Sequence, residues 1–332
     1  MFYMGIVEDN ADPKKMGRLK IRIFGIHTEN RNKAVDDVSK HIPTNDLPWA
    51  YPNMPITNSS IDGVGDFSTI VRGTKVLCCF IDQEKQHPIC LGVLPSIVTE
   101  LPDFELGFSD PSQEHPKEDY LNESSISRLA RNEKIDDTIV DIKKENVEEF
   151  EVCGQTIKEP ETEYDAKYPN NRVIETASGH IIEIDDTEGK ERLHFYHKMG
   201  TFLEIFPDGR MVSKINGARY DIVLGKDNVY IASDKNVRID GKCNIEIVEE
   251  AKVIFNAKAT VTAKKELNIE GEDKIIIKST GDVTLDSSGN TIIKSTGNVK
   301  LESSGLLEIK CNTYTLDATG TVTMTGSIIA LN

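Results

Sequence analysis

Few residues in this 332-residue chain have the type and spacing for chemistry, and each has a plainer reading. His194 and His197 lie in LHFYHKMG. Three-residue spacing on a strand puts them on opposite faces, so joint metal ligation within one chain is poor; three copies of one His meeting on a symmetry axis is the remaining metal option. Glu105, Asp110 and Glu114 are carboxylates of the kind used in glycoside hydrolysis, but no recognisable fold holds them at the required separation. Cys78, Cys79, Cys90, Cys153, Cys243 and Cys311 form no C-x-x-C pair and read as reduced structural thiols. IDGVGDF (61–67) holds two glycines but belongs to no phosphate-cradle motif, so it reads as a turn or loop. Trp49, the sole Trp, reads as a packing residue rather than a ligand platform. Arg18, Lys20 and Arg22 form one basic strand face, either solvated or docked on an acidic partner. No catalytic, cofactor-binding or metal-binding residue is assigned, and no cofactor is expected.

Composition narrows the function classes. The net charge of −16 argues against nucleic-acid partners and against stable adhesion to an anionic membrane. Hydrophobic residues make up 38% and aromatics 6%, which suits a narrow core better than one large one. No apolar run approaches the ~18–20 residues that span a bilayer. The start, MFYMGIVEDNADP, lacks the basic and apolar regions of a secretory signal, so synthesis in a cytoplasm is expected.

The elements that must carry these residues divide the chain into four parts. Residues 1–98 read as a small β-barrel: MGRLKIRIFGIH alternates apolar and basic residues as a half-buried strand, and TKVLCCFID and PICLGVL are further strands. Residues 99–171 are acidic and Pro-rich, an extended linker with short helices in 124–134 and 136–150. A linker of that length is expected to lie along a partner surface or stay mobile. Residues 172–220 form a β-rich neck, with turns at Ser178-Gly179, Glu188-Gly189, Met199-Gly200 and Asp208-Gly209.

Residues 221–332 repeat about every eight residues: GDVTLDSS from Gly281, GNTIIKST from Gly289, GNVKLESS from Gly297 and GLLEIKCN from Gly305. Following the apolar anchors predicts two register slips, at Val261–Leu267 and at Leu307–Tyr314. A fixed short period implies stacked β-structure. One octad cannot fold alone, because burying its two apolar side chains returns less than ordering eight backbones costs. Two architectures satisfy this, a single-chain solenoid and an intertwined trimer, and period alone does not separate them. Medium-sized β-branched anchors and the lack of a clear period at three octads favour the trimer.

In order along the chain, FYMGIVEDNADPKKMGRLKIRIFGIH, NDLPWAYPNMPIT, GVGDF, RGTKVLCCFID, HPICLGVL and YDAKYPNNRV, followed by the neck and the octads, resemble the central spike proteins of contractile-tailed phages of the T-even type. Relatives occur in contractile injection systems and type VI secretion. The resemblance implies an all-β chain: an N-terminal OB-fold barrel, a linker, and a C-terminal intertwined trimeric β-helix. It implies a homotrimer in the virion tail baseplate whose barrel docks on a ring-shaped tail hub protein. Its function is mechanical, puncture of the host outer envelope on sheath contraction, with only transient envelope contact. Two departures stand out. T-even-type spikes carry a lysozyme domain between barrel and shaft, and the interval 99–171 is too short for one, so no lytic activity is expected. The His-x-His metal tip of some shorter spikes is missing, since no His follows His197. Ile328, Ile329 and Leu331 then call for a separate PAAR-like tip protein. The rival readings are a type VI or phage-like injection spike, a peptidoglycan hydrolase, and a secreted β-solenoid adhesin.

Overall fold

A computed structural model describes residues 1–27, 42–62, 64–67, 70–99, 121–133 and 139–328. The chain divides into two units, Met1–Ile245 and Glu246–Asn332.

The first unit opens with a closed five-stranded barrel of β1 (Phe2–Asp9), β2 (Leu19–Ile23), β3 (Trp49–Pro52), β4 (Lys75–Phe80) and β5 (Pro88–Val93). Its strand order is β1-β2-β3-β5-β4, with β3 and β5 parallel and β4 closing onto β1. That is the connectivity of an OB-type barrel. Val7, Leu19, Ile21, Ile23, Ala50, Val76, Cys78 and Cys90 fill it, the two cysteines facing each other across β4 and β5 as free thiols.

β2 departs from the half-buried strand expected of it: all five residues are buried. The basic face is neither solvated nor open to a partner, because each cation is already engaged. Arg22 forms a two-pronged pair with Glu8 at 2.6 and 2.9 Å, and Thr44 donates to the same carboxylate at 2.8 Å. Lys20 Nζ donates to the Asn45 carbonyl at 2.7 Å and lies 4.9 Å from the Trp49 ring. Arg18 pairs with Asp12 at 2.7 Å and stacks on Trp49 at 5.3 Å and on Tyr51 at 5.8 Å. Trp49 is therefore a half-buried slab holding two cations. The Arg18 guanidinium, with the backbone N–H groups of Lys14, Met16 and Arg18, holds the Asp12 carboxyl far below its ordinary range.

Two short helices and a hairpin follow: α1 (Arg128–Arg131), α2 (Ile139–Glu145), β6 (Glu149–Val152) and β7 (Gln155–Lys158). A five-stranded antiparallel meander completes the neck, built of β8 (Asn171–Glu175), β9 (Ile181–Asp185), β10 (Arg192–Tyr196), β11 (Phe202–Ile205) and β12 (Met211–Lys214). Its hairpins turn at the four glycines expected from sequence. Gly200 shows why: its φ is +85°, and a Cβ there would sit 2.5 Å from Asn216 Nδ2. The described parts of the interval read as linker are folded onto this sheet, with Leu129, Ile139, Val140, Tyr164 and Ala166 packing against Ile181, Tyr196 and Phe202.

Beyond Lys214 the chain changes. From residue 215 to 328 every residue is exposed and none pairs in a sheet within the chain. Extended segments alternate with bends at 216/217, 224/225, 232/233, 240/241, 248/249, 256/257, 264/265, 272/273, 280/281, 288/289, 296/297 and 304/305. At four of the later bends the Gly N–H donates to a Ser Oγ two residues back: Ser279 to Gly281, Ser287 to Gly289, Ser295 to Gly297 and Ser303 to Gly305. The small polar residues closing those octads thus make the corners.

The bends correct one expected slip. Their spacing of eight continues unbroken through Val261–Leu267. Counting the second bend residue as position one, position five is apolar in every octad from Val229 to Ile309. The change near 261 lies in its companion: large apolar residues leave position seven after Phe255, and from Leu267 position three is apolar in every octad but the one with Thr291. Ala259 and Ala263 mark the exchange. The second slip stands: Gly305 and the next glycine bend, Gly320, are fifteen residues apart, one short of two octads.

Candidate functional site

The neck sheet has its faces inverted relative to an ordinary half-exposed sheet. The inner face of β8 to β11 joins a cluster of charged residues to Ile181, Tyr196 and Phe202, while the outer face is largely apolar.

The inner face carries Asn171, Glu183, Asp185, Arg192, His194 and Glu204, all buried. Cross-strand register brings them together: His194 opposes Glu183 on one side and Glu204 on the other, and Arg192 opposes Asp185. Arg192 donates to Glu183 Oε1 at 2.7 Å and to Glu204 Oε1 at 3.0 Å. His194 Nδ1 lies 2.6 Å from Glu183 Oε2, and its Nε2 lies 3.2 Å from Lys143 Nζ. Lys143, from α2, also pairs with Glu204. Thr162 donates to Glu204 Oε1 at 2.7 Å. Asn171 and the Tyr164 hydroxyl both donate to the Leu129 carbonyl of α1, at 3.0 and 2.6 Å. Two carboxylates thus balance an ammonium and a guanidinium, and the network ties α1, α2 and residues 162–164 to the sheet.

Burial pushes the Glu183 carboxyl up, but the His194 hydrogen bond and the Arg192 charge outweigh it, and its pKa falls to about 2. Burial disfavours charge on the His194 imidazole and, despite Glu183, holds its pKa below the ordinary value. Both shifts have the same sign for stability. Between pH 6.5 and 2 the unfolded chain binds more protons than the folded one, so acid weakens the neck: first as His194 resists protonation below 6.5, then as Glu183 resists it between about 4.5 and 2. The Glu183 contribution alone is roughly 3 kcal/mol. Thermal melting of the neck followed from pH 7 to 3 is expected to show a falling midpoint, and Glu183→Gln is expected to flatten the part below pH 4.5.

The outer face is two rows of side chains. Ile184, Leu193, Ile205 and Met211 oppose one another in the first; Ile174, Ile182, Phe195 and Leu203 do so in the second. Phe195 is 50% exposed and Ile174 64%. An apolar patch spread over five strands marks an interaction surface rather than a solvated one. The position-five side chains of the octads are exposed as well.

The residues singled out from sequence fall as follows. His194 and His197 do point to opposite faces. His194 is committed to Glu183 and Lys143, which leaves it no free nitrogen for an axial site. His197 is exposed and stacks near His180, ring centroids 4.5 Å apart. Glu105, Asp110 and Glu114 lie outside the described residues. Gly63 of IDGVGDF does too, and the rest of that stretch is a turn closed by an Ile61–Val64 bridge. The Glu183–Arg192–His194–Glu204 cluster went unread in the sequence. Its signal was present: opposite charges recur at alternate positions on β9, β10 and β11.

Comparison with known proteins agrees with this architecture. The family described as Gp5 N-terminal OB domain matches residues 25–173, from just after β2 to the start of β8. Protein Gp5 of Vibrio phage KVP40 is 38% identical over 272 residues, covering 72% of this chain and 63% of the phage protein. The pre-baseplate central spike protein Gp5 of Enterobacteria phage T4 is 41% identical over 117 residues, 35% of this chain and 20% of that protein. The chain spans less than two thirds of the length of either relative. By its barrel and by these similarities, the chain carries a Gp5-type N-terminal OB domain and is a relative of the Gp5 proteins of phages KVP40 and T4.

Proposed function

We propose that this chain is the central spike of a contractile phage tail baseplate: a homotrimer, structural in function, that punctures the host outer envelope. The observation that carries the reading is residues 215–328, a long extended chain with an apolar residue at position five of each octad from Val229 to Ile309 and no sheet pairing within the chain. Such a chain buries neither its apolar side chains nor its backbone polar groups alone. Three copies wound together satisfy both, each supplying strands to its neighbours. The exposed apolar face of the neck supports the same assembly. In this reading residues 1–98 are the mount on a tail hub protein, 172–220 the neck leading into the shaft and 221–332 the shaft. The far end of the shaft meets a PAAR-like tip protein, and the assembly belongs to the virion.

The reading includes no lytic activity. Four of the described carboxylates between barrel and sheet are engaged in ion pairs: Glu123 with Arg128, Glu133 with Arg131, Glu159 with Lys214 and Glu163 with Arg210. Purified protein is expected to leave a peptidoglycan suspension turbid; clearing overturns that part. The trimer is tested by mass in solution.

A further inference from the structure

We propose that the outward face of the octads carries a charge ladder that fixes the axial register between chains, pairing each octad with the neighbouring octad of a second copy. The inference rests on the homotrimer reading and goes beyond it by naming what aligns the copies.

A uniform repeat has a register problem. Position five is Val, Ile or Leu from Val229 to Ile309, so sliding one chain past another by a whole octad changes little in the core. Strand register is weakly specified where the buried pattern is the same in every frame. Between Leu267 and Ile309, where bends recur every eight residues and position five is always Ile or Leu, groups outside the core can discriminate.

Position six supplies them. In consecutive octads it reads Glu270, Lys278, Asp286, Lys294, Glu302 and Lys310, and beyond the shortened unit it continues with Asp317. The sign reverses at every step. Near the end a second column joins, Lys300 followed by Glu308 at position four. Lys300 pairs with Glu302, and Lys310 Nζ lies 3.3 Å from Glu308 Oε1, so positions four and six share one face. The octad from Gly297 therefore presents plus then minus, and the octad from Gly305 presents minus then plus.

Laid side by side in the same register, or offset by two octads, two copies set like charges opposite one another. Offset by one octad, every charged position meets its opposite. Cross-strand pairs of opposite charge contribute about 0.2–1 kcal/mol each, and like charges oppose pairing by similar amounts. Repeated over six octads and three chains, that difference selects the pairing of each octad with the next octad of a neighbouring chain. The partner is chemically defined: the neighbouring octad of another copy of this chain, which all three copies can offer at once, at the same height, when each chain moves round the axis by one face per octad.

The test compares three full-length proteins by the temperature at which the trimer dissociates, followed by mass. One is the unaltered chain. The second exchanges two neighbouring charges, Lys278→Asp with Asp286→Lys, which keeps the composition and breaks the alternation. The third reverses each sign named above and keeps the alternation: Glu270→Lys, Lys278→Glu, Asp286→Lys, Lys294→Glu, Lys300→Glu, Glu302→Lys, Glu308→Lys, Lys310→Glu and Asp317→Lys. The proposal expects the exchanged protein to dissociate at a lower temperature, or to assemble out of register as larger species, and the reversed protein to match the unaltered one. Equal dissociation of exchanged and unaltered proteins overturns it, and so does a reversed protein as weak as the exchanged one. A monomeric unaltered protein is the separate failure of the trimer reading itself.

Discussion

Aspartate at Ile277 and Ile293 is expected to leave the protein monomeric, its barrel and neck still folded. Both are position-five residues, exposed in the single chain and central to the proposed shaft core. In a threefold assembly each substitution places three carboxylates close together around the axis, away from water. The cost of burying an unpaired ion is several kcal/mol after relaxation, and mutual repulsion adds to it. Six such ions exceed any gain the remaining octads return. Thr284→Asp, at outward position four, is the control and is expected to keep the trimer. Sedimentation equilibrium of the three proteins decides it. A trimeric Ile277→Asp/Ile293→Asp protein contradicts the placement of position five in the core.

The second large effect is local to the neck. Glu183→Ala removes the acceptor of Arg192, His194 and Asn171 at once. Removing one partner of a buried pair costs about 3–5 kcal/mol, because the remaining charge stays buried. The loss falls on the fastening of α1, α2 and residues 162–164. Limited proteolysis is therefore expected to cut within 121–166 many times faster than in the unaltered protein, while the mass in solution stays unchanged. Unaltered cleavage would show that apolar packing by Leu129, Ile139 and Tyr164 holds the segment without the ion network.

Much of this architecture was legible in the residues. The hairpins were readable because Gly179, Gly189, Gly200 and Gly209 all sit at positive φ, which the chain grants cheaply only to glycine. β4 and β5 were readable as apolar runs between turn residues. What misled was the assumption that polar positions on an alternating strand face water. On β2 the basic positions are sealed by Glu8, Asp12 and the carbonyls of residues 42 and 45. On β9 to β11 the charged side is the buried one, where Arg192 pairs with Glu183 and Glu204, and the apolar side is exposed. Alternation reveals that a strand has two faces; it does not say which one the chain covers itself. The slip expected at Val261–Leu267 failed for a related reason. Following whichever apolar residue was largest jumped from position five to position three, whereas the bends kept their count.

The central claim is that the octads fold only against other copies of the same chain. The most direct measurement is the mass of the purified full-length protein by sedimentation equilibrium at micromolar concentration. One species at three times 37.0 kDa, unchanged on dilution, is expected. A folded, stable monomer of 37.0 kDa would contradict it, since the octads would then be satisfied within one chain.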